Sequence, residues 1–486
     1  MKNIFAKLKQ FDKVDRQGIV IAGCFLLMTF FAMWIPQNWI LFVVFFGLAL
    51  PLIWCSPRAG FLAIILTVFI FGEYFSLLGV RFGDNLYKIY ALDVALLIVF
   101  GSWFLQQPVK IMKEKWRLSK KEKWLLVFFG FLLLNLVRGL VAGGDSALAI
   151  GTFKNYSYLL VYFLFIFLFS KKDDIWRVIK WLLWSGLPLV GFIFYGWLNG
   201  AGLWSEATAG IRYLYSLHSF YLTFSLIILF TLFAYRHFVW GNIKTVLIFC
   251  VELVGMLGGM FRHLWLGLAT AFLFIFAGLQ FRKKNNLIKL AGISVFVLFF
   301  VMMFIFWGQR MFDTEQNILQ NKYFNSIGSR ITTLSQGGLN MESAADWRLE
   351  TWKVAGKKIV ESPIFGIGFG QKFYFEHRGF LDMIDIRNIH NDFVSILVQV
   401  GLIGFIPFLM FSFYQMRNIY YLFKIRNEET RFLTLVLGGF WIVLGFGVFF
   451  AIYLMFNGLS VFYWIVMGLI SVLVKEEKKK LEKIKG

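Results

Sequence analysis

The feature that most constrains this chain is a recurrence of apolar runs, each near the length that crosses a lipid bilayer. Fourteen are legible, at approximately 18–35, 39–55, 61–79, 89–105, 124–142, 157–170, 181–199, 217–235, 245–261, 263–280, 290–308, 391–415, 432–455 and 459–474. A bilayer core requires roughly 20 apolar residues in helical form, because every backbone N–H and C=O must be satisfied within the segment. Composition agrees: the 486 residues are 59% hydrophobic and only 16% charged, with 61 Phe. A soluble globule, a disordered chain and a disulfide scaffold are excluded. The three cysteines (Cys24, Cys55, Cys250) all sit inside apolar runs, so a disulfide framework or Cys-ligated metal is not expected. The expected fold is all-α, a polytopic membrane protein of about 14 transmembrane helices. The first run lacks a small-residue cleavage site before Pro36 and reads as a retained helix.

A formal charge of +22 would suggest nucleic acid in a soluble protein. Here position decides the matter. With the N-terminus inside, the cytoplasmic segments carry 33 of the 49 Lys and Arg. Ten of the remainder fall in one outward segment, 309–389. Short loops rich in bases thus share one side, as the positive-inside rule requires, and both termini are expected in the cytoplasm. Nucleic-acid binding is excluded as the explanation. The basic tail from Lys475 reads as a face beside anionic headgroups. The expected organisation is helices 1–11 in 1–308, a large external loop at 309–389, and helices 12–14 with the tail in 390–486.

An 81-residue outward loop is far longer than a connection requires, and such loops carry function. Ser343 and Asp346 offer a helix cap and Pro363 a stop, so a helix is expected between them. Arg348, Trp352, Ala355 and Ile359 then share one face. A snorkelling arginine on an interfacial helix explains Arg348 equally well from that helix alone. Gly366-Ile-Gly368-Phe-Gly370 follows; without a strand–turn–helix context it is a turn of close backbone approach rather than a dinucleotide fingerprint. His390 and Asn391 stand where the loop re-enters the membrane. The positive end of the next helix favours the neutral imidazole there, which suits a general base, although a simple capping histidine fits the same position. Arg262 and Arg212 also lie at outward span boundaries, where ionisable groups are candidates for function or for headgroup pairing. Asp382 and Asp385 read as isolated acids of a solvated loop, and Asp392 could orient His390 or Asn391.

Taken in order, these residues resemble the O-antigen ligase and O-antigen polymerase superfamily of bacterial envelope glycosyltransferases. The matching elements are Arg262-His-Leu-Trp265, Arg348 through Trp352 to Pro363-Ile-Phe-Gly366-Ile-Gly368, and His390-Asn391 followed by Gly401-Leu-Ile-Gly404, with Arg212 as a looser element. The resemblance covers roughly 205–410. Many family members have about twelve spans, against fourteen here.

What the resemblance implies is an all-helical (GT-C-like) glycosyltransferase that needs no metal or cofactor. It would take a glycan from a polyprenyl (undecaprenyl) pyrophosphate on the outer face of the bacterial cytoplasmic membrane and pass it to an acceptor sugar hydroxyl. Arg262, Arg348 and Arg212 would clamp the pyrophosphate, His390 would accept the hydroxyl proton with inversion, and Asn391 and Trp352 would support them. A chain-length regulator and a flippase of the same pathway are the expected protein partners. Polymerase is favoured over ligase by the number of spans and the elaborated loop. A transporter of lipid-linked oligosaccharide is the competing class, but no internal repeat is evident.

Overall fold

The computed structural model describes residues 8, 10–35, 39–71, 79–82, 87–106, 118–198, 216–237, 239–259, 261–292, 344–377, 380–385 and 389–485. The architecture is mostly helical, with two short hairpins. In chain order the elements are α1 (Lys13–Trp34), α2 (Trp39–Cys55), α3 (Pro57–Phe71), β1 (Gly79–Phe82), β2 (Tyr87–Tyr90), α4 (Ala91–Gln106), α5 (Lys120–Val141), α6 (Ser146–Ser157), α7 (Leu160–Leu168) and α8 (Lys172–Leu198). They continue with α9 (Ser216–Ala234), α10 (Asn242–Gly258), α11 (Arg262–Gly278), α12 (Ala344–Glu361), β3 (Lys372–His377), β4 (Phe380–Asp385), α13 (Asp392–Phe423), α14 (Glu428–Phe450) and α15 (Asn457–Lys485).

Among the described residues, six helical stretches are long and apolar enough to cross a membrane, and five shorter apolar helices accompany them. The protein is a multi-pass membrane protein. Every expected run except 290–308, most of which lies outside the described residues, coincides with a described helix. Local chemistry sets several helix starts. Asp12 and Asp15 close a capping box on α1, and Ser119 with Glu122 does the same on α5. Asn427 opens α14 by accepting from the Thr430 amide at 3.0 Å. Apolar residues such as Val20, Val43 and Val137 remain exposed, as side chains facing lipid do.

Two expectations about element boundaries change. The run at 157–170 is the second part of a longer element: α6 begins at Ser146, capped by Asp145, and breaks at Tyr158-Leu159 before α7. The mixed composition of 146–157 concealed that first helix. The two hairpins were not expected. β3 and β4 pair antiparallel from Lys372↔Asp385 to His377↔Phe380, within the segment read as a partly helical loop.

The chain forms two compact units. The first comprises 1–10, 177–341 and 431–443. Here α9 packs against α10 and α11, Phe224 meets Phe440 at 4.7 Å, and Arg431 donates to the Gly278 carbonyl at 2.6 Å. The second comprises 11–176, 342–430 and 444–486. In this unit α1 packs on α3, α5 on α13, and α12 on α13. One small core, of Ala355, Phe373, Ile389 and Val398 with Trp347, Trp352 and Ile359 against it, joins α12, β3 and the start of α13. That core positions the candidate site.

Candidate active site

Helix α12 ends at Glu361, two residues before Pro363, where a chain without an amide hydrogen cannot continue it. The stripe predicted on this helix is real. Ala355 is fully buried, Trp352 and Ile359 pack on the core just described, and Arg348 lies at the head of the same face, half-buried.

The segment after α12 threads into a break in α13. At Gly401 the backbone adopts φ 64° and ψ −175°, a conformation essentially confined to glycine, and it interrupts the helix. Carbonyls of Val398 and Gln399, which would have accepted from Leu402 and Ile403 within the helix, instead accept from Ile367 N at 2.8 Å and Gly368 N at 3.0 Å. The freed amides of Leu402 and Ile403 donate to Pro363 O at 2.9 Å and Ile364 O at 3.2 Å. Each group orphaned by the break finds a partner, as apolar surroundings demand. On its other side the segment meets α5, with Phe369 N bonded to Asn135 O at 3.1 Å; a Cβ on Gly368 would fall 2.8 Å from Gly139 Cα. The close approach expected of the three glycines is therefore against protein backbone.

The same scaffold holds the junction Ile389-His390-Asn391. Trp352 Nε1 donates to the Ile389 carbonyl at 2.8 Å, linking the middle of α12 to the peptide preceding His390. Asn391 caps α13 by accepting from Val394 N at 3.0 Å. His390 itself takes a left-handed backbone, φ 53°. Its ring stands edge-on to Trp347 with centroids 5.9 Å apart. Trp347 was not singled out in the sequence because it neighbours the stripe without belonging to it.

Electrostatics at this junction are specific. Burial is the larger cause, and the Arg348 cation the second, that brings the His390 imidazole down to about 4. Burial also lowers Arg348, but a guanidinium remains charged at neutral pH. A neutral, half-buried imidazole thus faces a half-buried cation. In this state His390 is a weak base; an anion bound to Arg348 would offset the cation and raise it toward the range where proton transfer is efficient.

This sign has a measurable consequence. A general base at this position would act above its pKa, so its acid limb in kcat/KM, which reports the free enzyme, is expected near pH 4 to 5 rather than 6.5. The limb in kcat should lie higher wherever an anion held beside Arg348 raises the imidazole. The stability contribution runs the same way: the unfolded chain takes up a proton near the ordinary histidine value, the folded chain only near 4, so folding weakens as pH falls between the two. Coincident acid limbs near 6.5 in both parameters would contradict this assignment.

Arg262 opens α11 in the first unit, after Phe261 at its N-cap position. Arg212 and Ser343 lie outside the described residues. Asp382 and Asp385 occupy β4 opposite Phe375 and Lys372. Asp392 does not orient His390 or Asn391: its fully buried carboxylate accepts from Leu454 N at 3.1 Å and so fastens the α14–α15 connection to the head of α13.

Sequence reasoning missed Arg138. It donates to Ser362 Oγ at 3.3 Å and lies over the Phe365 ring, so it secures the glycine segment from α5. The signal was present, as the one charge between Lys123 and Asp145.

Arg348, Trp352, His390 and Gly401 all fall within residues 245–409, which match a family model described as O-Antigen ligase. That stretch is similar to the O-antigen ligase family, which supports the O-antigen ligase and polymerase superfamily. The enzymes of this superfamily are glycosyltransferase-like, and the O-antigen ligase match supports a ligase or polymerase activity in polysaccharide biosynthesis at a membrane. The O-antigen ligase domain includes Arg262 and begins after Arg212. No curated protein matches the chain.

Proposed function

We propose that the protein is a polymerase of lipid-linked polysaccharide repeat units. It transfers glycan from a polyprenyl pyrophosphate to an acceptor sugar hydroxyl on the outer face of the cytoplasmic membrane, with about fourteen spans in a GT-C-like arrangement. The observation carrying this reading is the pair formed by a neutral His390 and the Arg348 cation at one rigid junction inside the O-antigen ligase domain.

The chemistry follows from what the leaving group needs. Pyrophosphate departs readily once its growing charge is matched, and arginine matches phosphate oxygens with a planar fork that stays charged when desolvated. Arg348 takes this part, with Arg262 and Arg212 as the further cations. His390 accepts the proton of the acceptor hydroxyl as its oxygen attacks the anomeric carbon, and the carbon–pyrophosphate bond breaks on the opposite face, giving inversion. Holding the two substrates in line supplies several kcal/mol. Trp352 fixes the His390 peptide through Ile389, and Asn391 sets the start of α13.

An R348K variant keeps the charge but loses the fork. It is expected to lower kcat/KM roughly 10²-fold, with most of the loss in kcat if the clamp tightens as charge develops. Unchanged turnover would make Arg348 a structural residue only.

A ligase, which passes finished glycan to lipid A core or another acceptor, uses the same site, and the family description itself names a ligase. The product decides between them. Purified protein given a polyprenyl-pyrophosphate oligosaccharide should yield lipid-linked ladders if it is a polymerase. Glycan on a non-polyprenyl acceptor alone would make it a ligase, and no transfer to any acceptor would overturn both readings.

A further inference from the structure

At the other end of α5 and α13, a cavity of about 720 Å³ opens between α5, α7, α13 and α15, all in the second unit. Arg417 lies 25 residues beyond Asp392, at the far end of α13 from the candidate active site and so toward the opposite membrane face. The charge count from sequence assigns that face to the cytoplasm. Six cations line it: Lys120 and Lys121 at the start of α5, Arg417 on α13, and Lys475, Lys478 and Lys479 on α15.

Two carboxylates, Glu122 and Glu482, line it as well, so the cations outnumber the acids by four. Glu122 accepts from Ser119 N at 2.5 Å and from the Tyr162 hydroxyl at 3.1 Å, and Glu477 pairs with Lys172 at 2.8 Å. Among the described residues no carboxylate comes within ion-pair distance of Lys120, Lys121, Arg417, Lys475 or Lys478. Like charges gathered around one hollow repel one another unless an anion enters. The walls tell which kind. Ile166, Val472 and Val474 continue the cavity toward the apolar part of the bundle, so its occupant is charged at one end and apolar at the other. Val474 and Lys475 are adjacent on α15 and mark the level where apolar sequence gives way to charge.

We propose that this cavity binds the phosphate headgroup of an anionic lipid, with the lysines and Arg417 around the phosphate and Ile166, Val472 and Val474 beside the first acyl carbons. The site is separate from the transfer chemistry and does not depend on the reading given above.

The test is native mass spectrometry of protein released from nanodiscs of mixed phosphatidylglycerol and phosphatidylcholine. Wild-type protein should retain phosphatidylglycerol in preference to phosphatidylcholine. A K121Q/R417Q/K475Q variant should lose that preference by at least about tenfold, since each cation near a charged surface contributes about 1 kcal/mol. The charge-preserving K121R/R417K/K475R variant should keep it. Equal retention by all three proteins would overturn the proposal. Inorganic pyrophosphate binding to wild-type protein that retains no phosphatidylglycerol would overturn the lipid assignment. Should the neutral variant not fold, a headgroup-photoreactive phosphatidylglycerol on wild-type protein decides: labelling concentrated on peptides bearing Tyr414 and Tyr421 supports the site, and labelling spread over other cytoplasmic loops removes it.

Discussion

An H390A variant is expected to transfer glycan between about a hundredth and a ten-thousandth as fast as the wild type, the range that a positioned general base supplies. The variant removes the imidazole and also places alanine at φ 53°, where L side chains are uncommon, so a loss could have two origins. An H390N variant separates them. Asparagine tolerates the left-handed region well but offers no base at neutral pH, and it should be as inactive as alanine while inserting and unfolding like the wild type. Initial rates with a polyprenyl-pyrophosphate oligosaccharide, alongside thermal unfolding of each variant, read both quantities. Wild-type rates in H390N would remove His390 from the chemistry, whatever its neighbours.

The second large effect is structural. G401A is expected to destabilise the protein by at least about 3 kcal/mol and to cut the yield of monodisperse protein sharply. Two costs combine. A φ of 64° with ψ −175° is a region that alanine scarcely enters. A Cβ there would also overlap the Ile364 carbonyl group, which is backbone and cannot rotate aside. G151A is the control, because a Cβ at Gly151 meets nothing within 4 Å, and its effect should lie within about 0.5 kcal/mol. Equal unfolding temperatures for the two variants would mean that the α13 break relaxes without cost.

The two variants also mark what the sequence disclosed. Apolar length revealed the helices, because hydrocarbon imposes the same requirement on every segment. The helical stripe carrying Arg348 and the placement of His390 beside a helix start were legible for a similar local reason, three-to-four-residue spacing and one capping residue. The break at Gly401 was not. Val398 through Gly404 carries no proline or charge to mark a break, and what divides it is a segment more than thirty residues earlier. The bond from Trp352 to Ile389 joins residues 37 positions apart and has no local trace. The β3–β4 hairpin has little local signature, because neither Lys372–His377 nor Phe380–Asp385 alternates apolar and polar residues, and its strands lie inside a segment read for helix signals alone. Arg138 was visible as a lone charge in an apolar run and was passed over because it borders no recognised element.

Four crossed backbone bonds stitch 363–368 to 398–403. This fastening sets the tolerance of the chain to changes in length. An added or deleted residue within either stitched stretch would slip the register and leave peptide groups stranded in hydrocarbon. Between them, the link from His377 to Phe380 lies outside both stitched stretches, so extra residues there disturb no stitch. Natural relatives of differing loop size should therefore vary at that link or ahead of α12, and grafts that exchange acceptor preference between such proteins should cut there.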